Sequence, residues 1–132
     1  MATITFNGTT DYYVCETTPA PEGLTGADPT RSIELWVFNP AVPTEETLVS
    51  WGRRGGPDGS NMSFNYGTHG LFGAVGHWGA PDLGWNDAGG APQARQWHHL
   101  VYTYDGQETR VYADGVQANS EVSTLLGRIP SA

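Results

Sequence analysis

The side chains best suited to chemistry in this 132-residue chain lie in and beside one segment, Trp78–Ala94. The segment is rich in Gly and Pro, and with the residue before it carries a mixed set of polar and aromatic groups: His77, Trp78, Asp82, Trp85, Asn86 and Asp87. An aromatic ring can stack on the apolar face of a pyranose, while carboxylates and amides bond its hydroxyls. We therefore predict a ligand site here, with Trp78 and Trp85 as stacking residues. In the alternative, both tryptophans fold back and cap an open end of the fold.

The acidic residues of the same region suggest a second use, the binding of a hard cation. Asp58, in the turn region 56–61, and Asp82 and Asp87 could offer oxygen ligands to Ca²⁺. None of them fits the EF-hand pattern. Aspartate is also common in turns that bind no metal, because its side chain forms hydrogen bonds with nearby backbone groups. The sequence thus allows a bound Ca²⁺ and indicates no other cofactor.

The patterns that catalysis requires are missing from the sequence. Glycoside hydrolysis needs two carboxylates across the scissile bond. Glu34 is the only acid in the middle of a predicted strand, and its neighbours two positions away are Ser32 and Trp36. A Gly-x-Ser-x-Gly nucleophile elbow is also missing. We predict no enzyme activity and no catalytic residues, and we expect Glu34 to pair with an Arg or His on an adjacent strand.

Charge and composition exclude several classes of partner. The net charge is −8, and the chain contains no lysine. Such a surface repels phosphate backbones, so nucleic acid is excluded as a partner. No apolar run reaches the ~20 residues of a membrane span, which excludes membrane insertion. The single cysteine, Cys15, cannot form an internal disulfide. It is predicted to be a buried free thiol in a strand, or else to form a bridge to another chain or to a missing part of the same protein.

Short strands are the elements that must position these residues. The dipeptides Asp105-Gly106 and Asp114-Gly115 separate β-prone runs at Leu100–Tyr104 and Thr109–Tyr112, and this pattern predicts a three-stranded meander. Seven further strands are predicted: Thr3–Phe6, Tyr12–Cys15, Arg31–Phe38, Thr47–Trp51, Met62–Tyr66, Leu71–His77 and Glu121–Leu126. About nine short strands with essentially no helix indicate an antiparallel sandwich or barrel.

The start of the meander predicts which side chains are buried. His98 and His99 are adjacent in a strand and must point to opposite faces, so one should be buried and hydrogen-bonded and the other exposed. The tryptophans of the predicted strands, Trp36, Trp51 and Trp97, are expected in the core.

Several motifs together resemble the laminin G-like modules of the concanavalin A-like lectin/glucanase superfamily. The strongest match is the series Trp97-His98-His99, Tyr104-Asp105-Gly106 and Tyr112-Ala113-Asp114-Gly115. Further matching motifs are Phe6-Asn7-Gly8 with Asp11–Val14, Ser32–Val37 and Leu48–Gly52. The resemblance implies an all-β fold, an antiparallel two-sheet jelly-roll sandwich, as one domain over residues 1–132. It also implies a secreted or cell-surface protein, and a non-catalytic lectin or adhesion module that binds glycans or extracellular proteins, in some members through Ca²⁺.

The chain departs from the family pattern at its C-terminus. Family members continue with strands that close the sandwich, whereas this sequence stops at Ala132. We therefore expect a module truncated at its C-terminus, or one completed by a strand from another chain or by a second copy of itself. The favoured function is carbohydrate binding. The alternative is a structural or adhesive building block that assembles through protein–protein contacts or strand exchange.

Overall fold

The fold is seen in a computed structural model of the chain, which describes residues 2–79 and 81–122. A single turn of 3-10 helix, Glu22–Leu24, precedes the strands. The strands are β1 (Arg31–Phe38), β2 (Thr47–Gly52), β3 (Asn61–Asn65), β4 (Val75–Gly76), β5 (Trp97–Tyr104), β6 (Glu108–Ala113) and β7 (Val116–Val122). No helix in this part of the chain has the length and apolar character needed to cross a membrane.

The strands form two antiparallel sheets. The order is β1-β5-β6-β7 in the four-stranded sheet and β2-β3-β4 in the three-stranded sheet. The rings of Phe64 on β3 and Tyr102 on β5 meet with centroids 6.0 Å apart, so the sheets pack face to face. The prediction of an all-β, antiparallel two-sheet sandwich is confirmed.

The predicted meander is confirmed as β5-β6-β7, but its two connections differ. Asp114 and Gly115 both have positive φ, 52° and 82°, as the tight two-residue hairpin turn requires. At the other connection only Gly106 has positive φ. There the Asp105 carboxylate accepts hydrogen bonds from the backbone N–H groups of Gln107 and Glu108, 2.9 and 2.8 Å away, and forms an Asx turn.

The core is built from alternate residues of the central strands. On β5, Leu100, Tyr102 and Tyr104 face inward while the residues between them are partly exposed. The rest of the buried apolar cluster comes from β3, β4, β6 and the loops beside them: Met62, Phe64, Tyr66, Ala74, Val75, Leu83, Trp85 and Val111. Because these side chains come from both sheets, the core holds the sandwich together.

Arg31 is a buried cation at the edge of this core. Its Nε donates to the Tyr102 hydroxyl (3.0 Å) and its Nη1 to the carbonyl of Pro29 (3.0 Å). The guanidinium also lies 5.0 Å from the centre of the Tyr104 ring. Burial raises the pKa of Tyr102 to about 12, so the hydroxyl stays protonated. Hydrogen bonds and aromatic faces thus replace the water that this arginine loses.

Two strand predictions near the N-terminus are wrong. No strand forms at Thr3–Phe6 or Tyr12–Cys15, and the side chains there are exposed. The β-prone pattern alone cannot form a strand without a neighbouring strand to pair with, and no described strand pairs with these residues. Cys15 is therefore exposed rather than buried.

Other boundaries need smaller corrections. The predicted strand Leu71–His77 is reduced to Val75–Gly76, because the residues before it turn through a glycine-rich loop. The predicted strand Glu121–Leu126 is represented only by its first two residues, as the end of β7; its remainder and the predicted C-terminal truncation lie outside the described residues.

The predicted core tryptophans are also corrected. Trp36 and Trp97 lie on the outward side of the four-stranded sheet and are exposed, because the inward positions of β1 belong to Ile33, Leu35 and Val37. Trp51 is partly buried and donates its Nε1–H to the carbonyl of Leu24 (2.9 Å).

The predictions for the adjacent histidines and for Glu34 are confirmed. His98 is buried, with Nδ1 2.6 Å from the Asp114 carboxylate and Nε2 2.8 Å from the carbonyl of Gln93. His99 lies on the other face and is partly rather than fully exposed; its Nε2 is 3.3 Å from the Glu34 carboxylate.

Candidate functional site

The outer face of the three-stranded sheet carries a groove, defined here by its lining: Glu45, Thr47, Ser50, Arg54, Asn61, Ser63, Phe72, Gly76, Trp78, Gly79 and Asp82. Its volume is about 390 Å³. The floor is the row Ser50–Ser63–Gly76, in which each residue pairs with the next across the strands. A Cβ atom at Gly76 would lie 2.7 Å from Ser63 Oγ, so the small residues in this row create the depression.

The floor of the groove is polar because β3 alternates in sequence. Asn61 and Ser63 point outward, whereas Met62 and Phe64 point into the core. The Asn61 amide N–H and the Ser63 hydroxyl both donate a hydrogen bond to the carbonyl of Gly76, and each bond is 3.2 Å long. The amide oxygen of Asn61 accepts no bond from the described residues, which leaves it for a ligand hydroxyl.

Trp78 forms an aromatic wall of the groove and is 39% exposed. Its backbone has φ of 64°, a left-handed conformation that a large side chain rarely adopts. The Asp82 carboxylate supports the turn that carries Trp78, because its Oδ1 accepts from the backbone N–H of the preceding residue, His77 (2.6 Å). Asp82 therefore stabilises this turn as well as lining the groove.

The rim of the groove is charged. The Arg54 guanidinium lies 5.8 Å from the centre of the Trp78 ring, and its Nη2 is 3.4 Å from the Glu45 carboxylate. Burial raises the pKa of Asp82, and the charges of Glu45 and Asp58 act in the same direction. Arg54 is thus a cation of the rim, paired with Glu45, and its side chain is largely exposed.

His77 supports the groove from below and does not face it. Its ring is buried, Nδ1 lies 2.7 Å from the carbonyl of Pro81, and Nε2 lies 3.5 Å from Nη2 of Arg31. A carbonyl needs a donor and a guanidinium needs an acceptor, so the ring is neutral with its proton on Nδ1. Burial lowers the pKa of His77 to about 4, and the charge of Arg31 adds to this effect.

Trp85 lies in the core, which corrects its predicted role as a stacking residue. It is 3% exposed, its ring centroid is 6.0 Å from that of Phe64, and its Nε1–H donates to the carbonyl of Asn65 (3.3 Å). A sugar could reach no face of this ring. The reason is the bridge between Val75 and Leu83, which draws this part of the loop onto the sheet.

Asn86 and Asp87 serve the loop itself. The Asn86 side chain accepts from the backbone N–H of Ala88 (3.0 Å), and the Asp87 carboxylate accepts from the Asn119 amide (2.9 Å). Neither residue lines the groove. Of the predicted site residues, the structure therefore brings Trp78 and Asp82 together and leaves the other four elsewhere.

The three predicted Ca²⁺ ligands do not converge. Asp58 lies against Gly79 beside the groove, Asp82 lines it, and Asp87 bonds Asn119 on β7. Within residues 2–79 and 81–122, no three His, Cys, Asp or Glu side chains are grouped so that they could hold a metal ion. Ca²⁺ binding stays a prediction.

The sequence carries a signal for some of the remaining groove residues. The alternation Asn61-Met62-Ser63-Phe64-Asn65 places three polar side chains on the outer face of one strand. Ser50 and Arg54 could be found only after the strand register was known, because both belong to another part of the chain.

Comparison with known proteins is consistent with this architecture. A laminin G-type family model, described as the concanavalin A-like lectin/glucanases superfamily, matches residues 7–130. The chain belongs to this superfamily. Its laminin G-like members are generally non-enzymatic binding modules and are typically extracellular, so membership indicates a non-catalytic binding module. Neither the curated proteins nor the solved structures contain a match to this laminin G-like chain.

Proposed function

We propose that this laminin G-like chain is a carbohydrate-binding module of a secreted or cell-surface protein and that the groove beside Trp78 binds the glycan. One observation carries the proposal: a cavity of about 390 Å³ combines an exposed indole wall with a floor of hydroxyl and amide groups. Pockets for small ligands have volumes of roughly 300–1,000 Å³ and combine apolar walls with a few polar groups.

Each residue of the groove would make a different contact with a bound sugar. The Trp78 ring would stack on the C–H face of one pyranose once Arg54 moves aside. The amide oxygen of Asn61 and the carboxylate of Asp82 would accept hydrogen bonds from its hydroxyls. Glu45 would hold Arg54 at the rim, where its guanidinium can donate to a second sugar.

The test begins with a glycan array and continues with calorimetric titration of the oligosaccharides that bind. Trp78→Ala should weaken binding about tenfold, because lost stacking on the order of 1.4 kcal/mol corresponds to that factor. Trp78→Phe should restore part of the affinity. Val116→Ala, another exposed apolar side chain, is the matched control. Undiminished binding by Trp78→Ala, or no binding to any glycan, would overturn the proposal.

A second candidate function, a building block that assembles by strand exchange, is favoured by the N-terminal segment. Residues 3–6 and 12–15 have the composition of strands, yet Ile4, Tyr12, Tyr13 and Val14 are all exposed. A strand from another chain could pair with this segment and cover its apolar side chains.

A further inference from the structure

The outer face of the four-stranded sheet carries an exposed aromatic patch, made of Trp36, Phe38, Trp97 and His99. The exposed fractions of the first three side chains are 61%, 44% and 49%. The patch follows from the register, which places Trp36 opposite His99 and Phe38 opposite Trp97. Trp36 and His99 are stacked with centroids 5.1 Å apart, and Phe38 and Trp97 are 5.8 Å apart.

The fold does not require large rings at these positions. The inward faces of the same strands already fill the core, and the rings of the aromatic patch pack on one another. A cluster of aromatic side chains on an outward sheet face is the kind of apolar surface that marks an interaction site in a soluble protein.

A second copy of the chain is a poor occupant for the aromatic patch. The exposed area of its three large rings is roughly 300 Å², at about 200 Å² for each complete side chain. A stable dimer needs about 800 Å² from each partner. Two chains of net charge −8 also repel one another, so both area and charge favour a smaller ligand.

The charges around the aromatic patch favour an uncharged ligand. Glu34 is held by His99 at one end (3.3 Å), and Arg95 bonds the carbonyl of Pro40 through Nε (3.4 Å) near the other. On the same outer face, Arg110 of β6 is paired with Asp105 and Glu108. The charges of Glu34 and Arg110 are therefore already paired, and the patch offers aromatic rings with hydrogen-bonding groups beside them.

We propose that the aromatic patch is a second glycan-binding surface, which takes the flat side of an extended, neutral polysaccharide. Pyranose rings in such a polymer present apolar C–H faces that stack on indole and phenyl rings, while their hydroxyls reach Glu34, His99 and Arg95. The patch lies on an open sheet face with room for a packed or insoluble polymer, whereas the groove on the other sheet has room for a single chain. This surface is independent of the groove, and either proposal can fail without the other.

Adsorption to insoluble polysaccharides tests the second surface. The probes are microcrystalline cellulose, chitin and mannan as neutral polymers, with insoluble polygalacturonate as the acidic contrast. The wild-type chain should bind at least one neutral polymer, and Trp36→Ala/Trp97→Ala should lose at least about tenfold in affinity, as expected when two stacking rings are removed. Binding should change by less than about twofold between about 50 and 500 mM NaCl, because salt screens only charge–charge attraction.

Val116→Ala, on the same sheet, and Leu71→Ala, outside both surfaces, remove exposed apolar side chains and should adsorb to the neutral polymer as the wild type does. The double substitution should lower adsorption in the wild-type and the Trp78→Ala backgrounds alike, which separates this surface from the groove. Thermal unfolding should show that the double variant is folded, since both of its tryptophans lie outside the core. The proposal is overturned if no neutral polymer retains the chain, if the double variant adsorbs like the wild type, or if only polygalacturonate is bound.

Discussion

His77 shows how burial, rather than residue type, sets the role of a side chain in this protein. Imidazole is a common ligand and catalytic group, and the sequence placed His77 among the sugar-binding residues. In the fold, it bridges Pro81 and Arg31 and lies beneath the loop that carries Trp78. The neutral ring is the form that satisfies both partners, so protonation must disturb the loop and the buried arginine together.

Stability should therefore depend on pH through His77. The unfolded chain takes up a proton near the ordinary pKa of 6.5, whereas the folded chain does so only at about 4. The unfolded state binds more protons between these values, so the free energy of unfolding falls as the pH is lowered through this window. The loss should be about 2 kcal/mol between about pH 7 and pH 4.5.

Urea unfolding of the wild type and of His77→Gln at the two pH values measures this loss. The other titratable groups contribute to both proteins, so the difference between them isolates His77. An equal pH dependence in the two proteins would contradict the assignment.

At the scale of elements, the strands and the loops depend on different interactions. The strands follow from alternation, and β1 was predicted with the boundaries that the structure has. The loops follow from close backbone approaches that no local pattern reveals. At Gly84, a Cβ atom would collide with the carbonyl oxygen of Gly70, and this close approach accompanies the placement of Trp85 in the core.

Gly84→Ala should destabilise the protein by about 1–3 kcal/mol, because the methyl group meets backbone atoms that cannot rotate away. Gly23→Ala is the matched control: a Cβ atom there has no heavy atom within 4 Å, and the change should stay within about 0.5 kcal/mol. Chemical unfolding of both variants provides the measurement. A wild-type midpoint for Gly84→Ala would show that the loop backbone can adjust.

At the scale of the whole molecule, the sandwich presents two outward sheet faces with different shapes. The three-stranded sheet has a groove with a polar floor, and the four-stranded sheet has an exposed aromatic patch. A module of this kind could hold a single glycan chain on one side and a packed polymer on the other, and the gain from two linked contacts would exceed either affinity alone.

The state of assembly decides the second candidate function. If strand exchange occurs, size-exclusion chromatography with light scattering should give a dimer or larger species for the wild type. Val14→Pro should give a monomer, because proline removes a backbone donor from the pairing strand. Thr17→Pro, outside the β-prone run, should leave assembly unchanged. A monodisperse wild-type monomer would remove this candidate.

The sequence by itself determined the class of fold and most of the sheet. Alternating residues, Asp-Gly turns and the Trp97-His98-His99 series predicted the meander, the sandwich and the opposite orientations of the two histidines. These features are local, and each is encoded within a few residues. The pairing of Glu34 with a neighbouring strand was also predictable, because a mid-strand carboxylate needs a partner.

Only the tertiary structure decided which aromatic side chains are buried and which are exposed. The sequence placed Trp85 in the ligand site and Trp36 and Trp97 in the core, whereas the structure buries Trp85 and exposes the other two. A strand pattern shows that alternate residues share a face, but whether that face meets the other sheet depends on the rest of the chain. The register set by distant strands joined Ser50, Ser63 and Trp78 into one groove, and no local signal in the sequence carries that information.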